Sequence, residues 1–108
     1  MTGKQRYPRT PDGRYFVAKN RLWRCTDPRL DEDEAQTYVN ELMSARRAVK
    51  SAKQQEDDAA LKKARAAVQR AKVALGERGP VWWDDGAPDE TGRAPENSSY
   101  AKWWHEQR

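Results

Sequence analysis

Two stretches in the middle of the chain carry apolar residues at alternating spacings of three and four. In residues 31–54 and 58–75 these positions are, in order, Ala35, Tyr38, Leu42, Ala45, Val49 and Ala52, then Leu61, Ala64, Val68, Ala71 and Leu75. This spacing places each set on one face of a helix. Because only a short polar segment separates the two sets, the pattern predicts a long antiparallel helical hairpin over residues 31–75.

The ends of both helices carry recognisable signals. Asp31 and Glu34 have the spacing of a capping box, and Asp57 or Asp58 is suited to cap the second helix. Gly76 is a natural residue to end it. Three apolar residues, Val39, Met43 and Val73, lie off the shared seam. We expect the aromatic segments of the chain to cover them.

The N-terminal region alternates in the manner of strands. Residues 14–18 and 21–25 are separated by Lys19-Asn20, which predicts a β-hairpin over residues 14–25 with a two-residue loop. In that register Phe16 lies opposite Trp23, and Val17 lies opposite Leu22. Residues 1–13, with a turn at residues 10–13, are predicted to be a flexible arm.

The C-terminal region, residues 76–108, is rich in turn residues and tryptophan. Val81-Trp82-Trp83 is a short extended run that fits either a third strand or a flat lid over the helices. The segment 98–106 is predicted to be a short helix. We call residues 76–108 the Trp-rich wrap. The sequence thus predicts a single α+β domain over residues 1–108, built from a β-hairpin, a helical hairpin and this irregular wrap.

Large aliphatic residues are scarce. The chain has 108 residues and contains five Leu, six Val, one Phe and no Ile, but it has five Trp. We therefore expect a small core built from Trp, Tyr and Ala, too small for the deep pocket of a typical enzyme. The alternative role for the tryptophans is an exposed platform that stacks on a base or a sugar ring.

Charge alternates in blocks, although the net charge is only +4. Residues 1–30 hold 8 basic and 2 acidic residues, and residues 59–80 hold 6 and 1. Residues 31–58 hold 4 basic and 8 acidic residues, and residues 81–108 hold 3 and 6. Two interpretations remain open: opposite blocks dock on each other within the fold, or a basic surface faces nucleic acid.

The second interpretation has a specific candidate site on the helical hairpin. Its residues would gather towards the loop end and contact phosphates without reading bases. They are Arg46, Lys50, Lys53, Lys62, Lys63 and Arg65.

The sequence holds few residues that could bind a metal or act in catalysis. Asp84, Asp85 and Asp89 lack the spacing of an EF-hand loop and suit turns. Cys25 and His105 are the only Cys and His, too few for a usual zinc site and a minimal pair for nucleophilic catalysis. We expect no catalytic residue, metal or cofactor. With no apolar run of membrane-spanning length and no secretory signal, we expect a cytoplasmic protein without membrane contact.

Several strings resemble a family of small uncharacterised bacterial proteins. They are residues 7–16, 21–25, 45–49 and 73–89, with Gly-Glu-Arg-Gly-Pro-Val-Trp-Trp (76–83) the most specific. Some members carry the label "Tol biopolymer transporter", which implies a membrane helix or a periplasmic repeat domain that this sequence lacks. The resemblance implies no activity and no site residue.

The function that we expect is therefore binding rather than catalysis. The first hypothesis is a non-enzymatic interaction protein that binds a protein partner through the helical hairpin and the aromatic wrap. The alternative is sequence-independent binding of nucleic acid through the basic face of the hairpin. The sequence leaves the identity of the partner and the oligomeric state open.

Overall fold

The structure, a computed structural model, describes residues 7–107. In chain order it contains β1 (Tyr15–Ala18), β2 (Arg21–Arg24), α1 (Glu32–Gln54), α2 (Asp58–Ala74), a 3-10 turn (Pro95–Asn97) and α3 (Ala101–Glu106). The predicted α+β fold is confirmed, with its N-terminal hairpin, two long helices and short C-terminal helix. Residues 26–82 form one compact unit, the central unit, and the segments before and after it form a second, the terminal unit. A single domain over residues 1–108 stays a prediction.

The helical hairpin begins as the capping box predicts. Asp31 accepts a hydrogen bond from the Glu34 backbone, and the Glu34 side chain accepts one from the Asp31 backbone. Asp57 caps α2 by accepting from the backbone of Ala60 at 3.0 Å. Acidic side chains in these first turns also favour the positive ends of the helix dipoles.

Both helices end in the same backbone motif. At the end of α2 the Gly76 amide donates to Val73 and the Glu77 amide donates to Lys72, with Gly76 at a φ of 80°. This is a Schellman motif, in which glycine adopts the left-handed conformation without steric cost. At the end of α1 the same position is taken by Glu56, at a φ of 55°. The bond from Asp57 to Ala52 closes that motif, so three residues suffice to join the helices.

The predicted seam is the buried surface between α1 and α2. Leu42, Ala71 and Leu75 form its core, and Leu75 is only 1% exposed. Every other seam position predicted from the sequence is buried or half-buried. The expected cover over Val39, Met43 and Val73 is absent from the described residues, since these side chains are 38%, 48% and 39% exposed.

Replacing Leu42 with Asp tests the helical phase. The change would bury a lone carboxylate between the helices, and we expect it to abolish cooperative unfolding of the central unit. Replacing the exposed Lys62 with Asp should change the free energy of unfolding by less than about 1 kcal/mol. Urea titration followed by far-UV circular dichroism measures both. Equal losses at the two positions would contradict the seam.

The β-hairpin has the predicted register. Phe16 pairs with Trp23 and Val17 pairs with Leu22 across two antiparallel strands. Lys19 and Asn20 both have positive φ, 52° and 61°, which is the geometry of a type I′ turn. A two-residue loop of this kind matches the right-handed twist of the strands.

Backbone hydrogen bonds reach both edges of the β-hairpin from neighbouring segments of the chain. On the β1 side the Val17 amide donates to Pro8, and Arg9 bridges to Phe16. On the β2 side Leu22 exchanges hydrogen bonds with Gly92 and Arg93. The bonds on the β1 side show that residues 8–10 of the expected flexible arm are attached to β1. Residues 1–6 lie outside the described residues.

Residues 81–83, which the sequence allowed as a third strand, do not form a strand in the structure.

The hairpin buries the face opposite to the one that carries Trp23. Tyr15, Val17 and Leu22 are at most 4% exposed, whereas Trp23 is 39% exposed. Of the five tryptophans, only Trp83 is buried, at 8%. The expected core of Trp, Tyr and Ala does contain Tyr15 and four alanines, but it includes only one of the five tryptophans. In the terminal unit Trp83 alone among the tryptophans belongs to the core, where its ring meets that of Tyr15 edge-on with the centroids 5.6 Å apart.

The two tryptophans should respond differently to truncation. Replacing Trp83 with Ala removes a buried ring and should cost about 3–5 kcal/mol of unfolding free energy. Replacing Trp23 with Ala removes a half-open ring and one hydrogen bond, from its Nε1 to the Ala18 carbonyl, and should cost about 1 kcal/mol. Denaturant unfolding of the two variants beside the wild type measures the difference. A larger loss at Trp23 would mean that the buried face is misassigned.

Candidate binding surface

The terminal unit neutralises its own charge. Its described residues, 7–25 and 83–107, contain seven basic and seven acidic side chains. Arg14 pairs with Asp85 and lies 4.8 Å over the ring of Trp83, and Arg24, itself only 5% exposed, pairs with Asp89 at 3.4 Å. The basic N-terminal block and the acidic C-terminal block therefore dock on each other, as the first interpretation of the charge pattern requires.

Hydrogen bonds complete this network around Tyr15. Its hydroxyl accepts a bond from the Glu90 amide at 2.8 Å, and the buried Glu90 carboxylate accepts from the backbone and hydroxyl of Ser99. The Tyr100 hydroxyl donates to Asp12 at 2.6 Å. Burial and this bond to Asp12 raise the pKa of the Tyr100 phenol. These polar groups therefore serve the packing of the unit itself.

The cations of α1 and α2 form no ion pair among the residues that the structure describes. All six residues of the predicted nucleic-acid site are exposed, and within residues 7–107 none of them forms an ion pair. They are Arg46, Lys50, Lys53, Lys62, Lys63 and Arg65. Their positive charge is therefore presented to solvent.

The structure divides this predicted set between two sides of the hairpin. Arg46 and Arg65 border an open groove of about 410 Å³, together with Arg78. Its remaining lining consists of Val49 and Val68. Among the residues that the structure describes, no carboxylate lines this groove. We call it the arginine groove.

The opposite side of the hairpin has a different character. Lys63 lines a second groove with Arg70 and a series of alanines. We expected the cationic cluster at the loop end of the helical hairpin. That end also carries three acidic residues in succession, residues 56–58. The loop end therefore carries charges of both signs, whereas among the described residues the arginine groove is lined by three arginines and two valines.

Arg78 and Lys72 are two further cations on the side of the helical hairpin that carries the arginine groove. Arg78 follows the Schellman turn and donates from Nη1 to Gln69 Oε1 at 2.9 Å, which folds it back along α2. Burial, aided by the neighbouring charges of Arg78 and Arg46, lowers the pKa of Lys72, while Glu77 opposes the shift. Lys72 was recognisable on the same helical row as Arg65. Arg78 was not, because its position depends on the chain reversal at Gly76.

Apolar side chains continue this face towards the start of α1. Val39 and Arg46 are seven residues apart, as are Met43 and Lys50, so each pair lies two turns apart on one row. Val39 and Met43 are exposed. We call the surface formed by this row pair and the arginine groove the basic face. It combines charge with accessible apolar area.

The other candidates for chemistry were Cys25, His105 and the aspartates Asp84, Asp85 and Asp89. Cys25 is buried and His105 is exposed. Asp85 and Asp89 pair with arginines, and their side chains also accept backbone bonds that shape turns. Within residues 7–107 no three His, Cys, Asp or Glu side chains are grouped so as to hold a metal ion.

Comparison with known proteins adds no relative. No family model, curated protein or solved structure matches this chain. The resemblance to small uncharacterised bacterial proteins stays a prediction. Among the described residues, no helix combines the length and the apolar character needed to cross a membrane.

The acid response of the terminal unit follows from its carboxylates. The hydrogen bond from Arg14 lowers the pKa of Asp85. Burial tends to raise the pKa of Asp12, but bonds from Tyr100 and Thr10 outweigh it and lower the pKa below its ordinary 3.8. A lowered folded-state pKa means that this stabilisation is present above pH 3.8 and is lost as the pH falls through the folded value.

We therefore expect the Asp12→Asn and Asp85→Asn variants to lose less stability than the wild type between pH 6 and pH 3. Asp84→Asn, at an exposed neighbour that forms no ion pair among the described residues, is the matched control and should keep the wild-type slope. Thermal unfolding followed by near-UV circular dichroism across this range measures the effect. Identical slopes in all three variants would show that the network does not set the acid response.

Proposed function

We propose that the protein is a non-enzymatic interaction protein whose basic face binds an acidic protein partner. The observation that carries this proposal is the contrast between the two units. In the terminal unit Arg14, Arg24 and Arg93 pair with carboxylates of the same unit, whereas the cations of the basic face form no ion pair among the described residues. An uncompensated charge of this kind steers an oppositely charged partner and fixes its orientation.

The apolar side chains favour a protein over a bare phosphate backbone. Val39 and Met43 lie exposed beside the cations, and Val49 and Val68 lie in the floor of the arginine groove. Phosphates gain nothing from such neighbours, whereas protein interfaces combine buried apolar contacts with a charged rim. Arginine and methionine are also enriched at such interfaces.

The contribution of the Trp-rich wrap to binding stays part of the proposal, and accessible aromatic rings are found both there and on β2. Trp23 is exposed, and the half-buried Trp103 and Trp104 rings lie 6.0 Å apart at 46°. They offer apolar area in the terminal unit, in addition to the basic face. A cytoplasmic setting stays part of the proposal.

Nucleic acid is the second candidate ligand. The observation in its favour is that Lys50, Lys53 and Lys62 are exposed and unpaired within the described residues. Four phosphate contacts would make the affinity fall with the logarithm of salt concentration at a slope of roughly −3 to −4. The acidic residues 56–58 beside this cluster oppose such binding.

A capture experiment with matched variants tests the proposal. One variant carries Arg46→Glu, Lys50→Glu and Arg65→Glu on the basic face. The control carries Arg47→Glu, Lys63→Glu and Arg70→Glu, which changes the net charge equally at exposed positions elsewhere on the hairpin. Each protein is immobilised and exposed to a lysate of cells that produce the protein, with and without nuclease. Circular dichroism confirms that both variants fold.

We expect an acidic protein to be retained by the wild type and the control but lost with the basic-face variant, with no effect of nuclease. Retention that disappears after nuclease treatment, together with the salt slope given above in a titration with duplex DNA, would favour the nucleic-acid function instead. Equal loss in both triple variants would show that net charge alone, rather than this face, governs binding.

A further inference from the structure

The arginine groove has features beyond positive charge. Its floor is formed by Val49 of α1 and Val68 of α2, both half-buried seam residues. Arg46 borders it on the α1 side and Arg65 on the α2 side. Cations therefore stand on both sides of an apolar strip that runs between two antiparallel helices.

The shape of this strip favours a helical ligand. A third helix lying along a helix pair packs its side chains between theirs at an interaxial distance of about 8–10 Å. Valines in the floor are short enough to permit that approach. An extended peptide is recognised through the free backbone groups of a sheet edge, and the bonded backbones of α1 and α2 offer none.

The type of cation indicates the ligand's charged groups. All three basic residues that line the groove are arginines, and the planar guanidinium matches a carboxylate through two parallel hydrogen bonds. Arg78 is held in place by Gln69, so less side-chain freedom is lost when it binds. A ligand with carboxylates on both sides of an apolar stripe would satisfy all of these groups together.

We infer that the arginine groove is the seat of an amphipathic acidic helix from the partner, with its apolar stripe on Val49 and Val68 and its carboxylates on Arg46, Arg65 and Arg78. This inference rests on the proposed function and names the ligand's form. Binding converts the helical hairpin into a three-helix bundle. The acidic helix covers seam area that the described residues leave half-exposed.

A pair of labelled peptides tests the form of the ligand. The first has about 16 residues, enough for a helix of about 24 Å, with leucines spaced three and four apart, glutamates on both sides of that stripe and alanines at the remaining positions. The second is identical except that two central alanines are replaced by proline, which breaks a helix without changing charge. Fluorescence anisotropy with the full-length protein measures both affinities. We expect the proline peptide to bind at least about tenfold more weakly.

Variants of the protein locate the site. Arg65→Glu, in the arginine groove, should weaken binding of the helical peptide by about tenfold or more, because a charged hydrogen bond is lost. Lys63→Glu makes the same charge change on the other side of α2 and should weaken it by less than about threefold, as a remote exposed charge does. Circular dichroism of the free proteins checks that each variant is folded.

The outcomes separate this inference from the proposed function. Equal affinity for both peptides, still lost in Arg65→Glu, would overturn the helical form while supporting an acidic partner. Equal losses in Arg65→Glu and Lys63→Glu would overturn the groove as the site. If neither peptide bound while the capture experiment still retained an acidic protein, the helix inference would fall and the proposed function would stand.

Discussion

The packing of α1 against α2 is limited by the small size of the side chains between them. The seam combines alanine with Leu, Val or Tyr, and of its six buried residues only Leu42 and Leu75 are larger than alanine. Small seam residues let the helices approach closely, but they leave little apolar surface to attract the rest of the chain. Most side chains of both helices therefore stay in solvent. The exposed basic face is a consequence of this narrow seam, since every position outside it is available to charge.

The two units differ in how their charged side chains are paired. In the terminal unit, Arg14 and Arg24 meet carboxylates that lie 71 and 65 residues away along the chain. Those pairs, with the hydrogen bonds of Tyr15 and Tyr100, hold the β-hairpin and the Trp-rich wrap together. In the helical hairpin, acidic residues are concentrated at the helix N-termini, where they cap backbone amides. The cations between those ends form no ion pair among the described residues, and this asymmetry is the basis for the proposed binding function.

Burial in the β-hairpin depends on polar partners as much as on apolar area. The two faces were similar in sequence, and the one with Phe16 and Trp23 had the larger apolar residues. The structure buries the other face because Tyr15 and Arg24 there find hydrogen-bond partners in residues 89–91. A buried hydroxyl or guanidinium without such partners would be costly. The partners lie more than 60 residues away along the chain, so no local pattern could reveal the choice.

The sequence by itself determined the local elements: the helical seam, the capping box at Asp31, the end of α2 at Gly76, and the hairpin register around Lys19-Asn20. Each depends on residues within a few positions of one another, where periodicity, capping and turn geometry act directly. Only the tertiary structure decided which hairpin face is buried, which charges pair, and that Arg78 joins Arg46 and Arg65 at one groove. Those outcomes depend on groups far apart in the chain that compete for the same partners, and such competition is settled by three-dimensional packing.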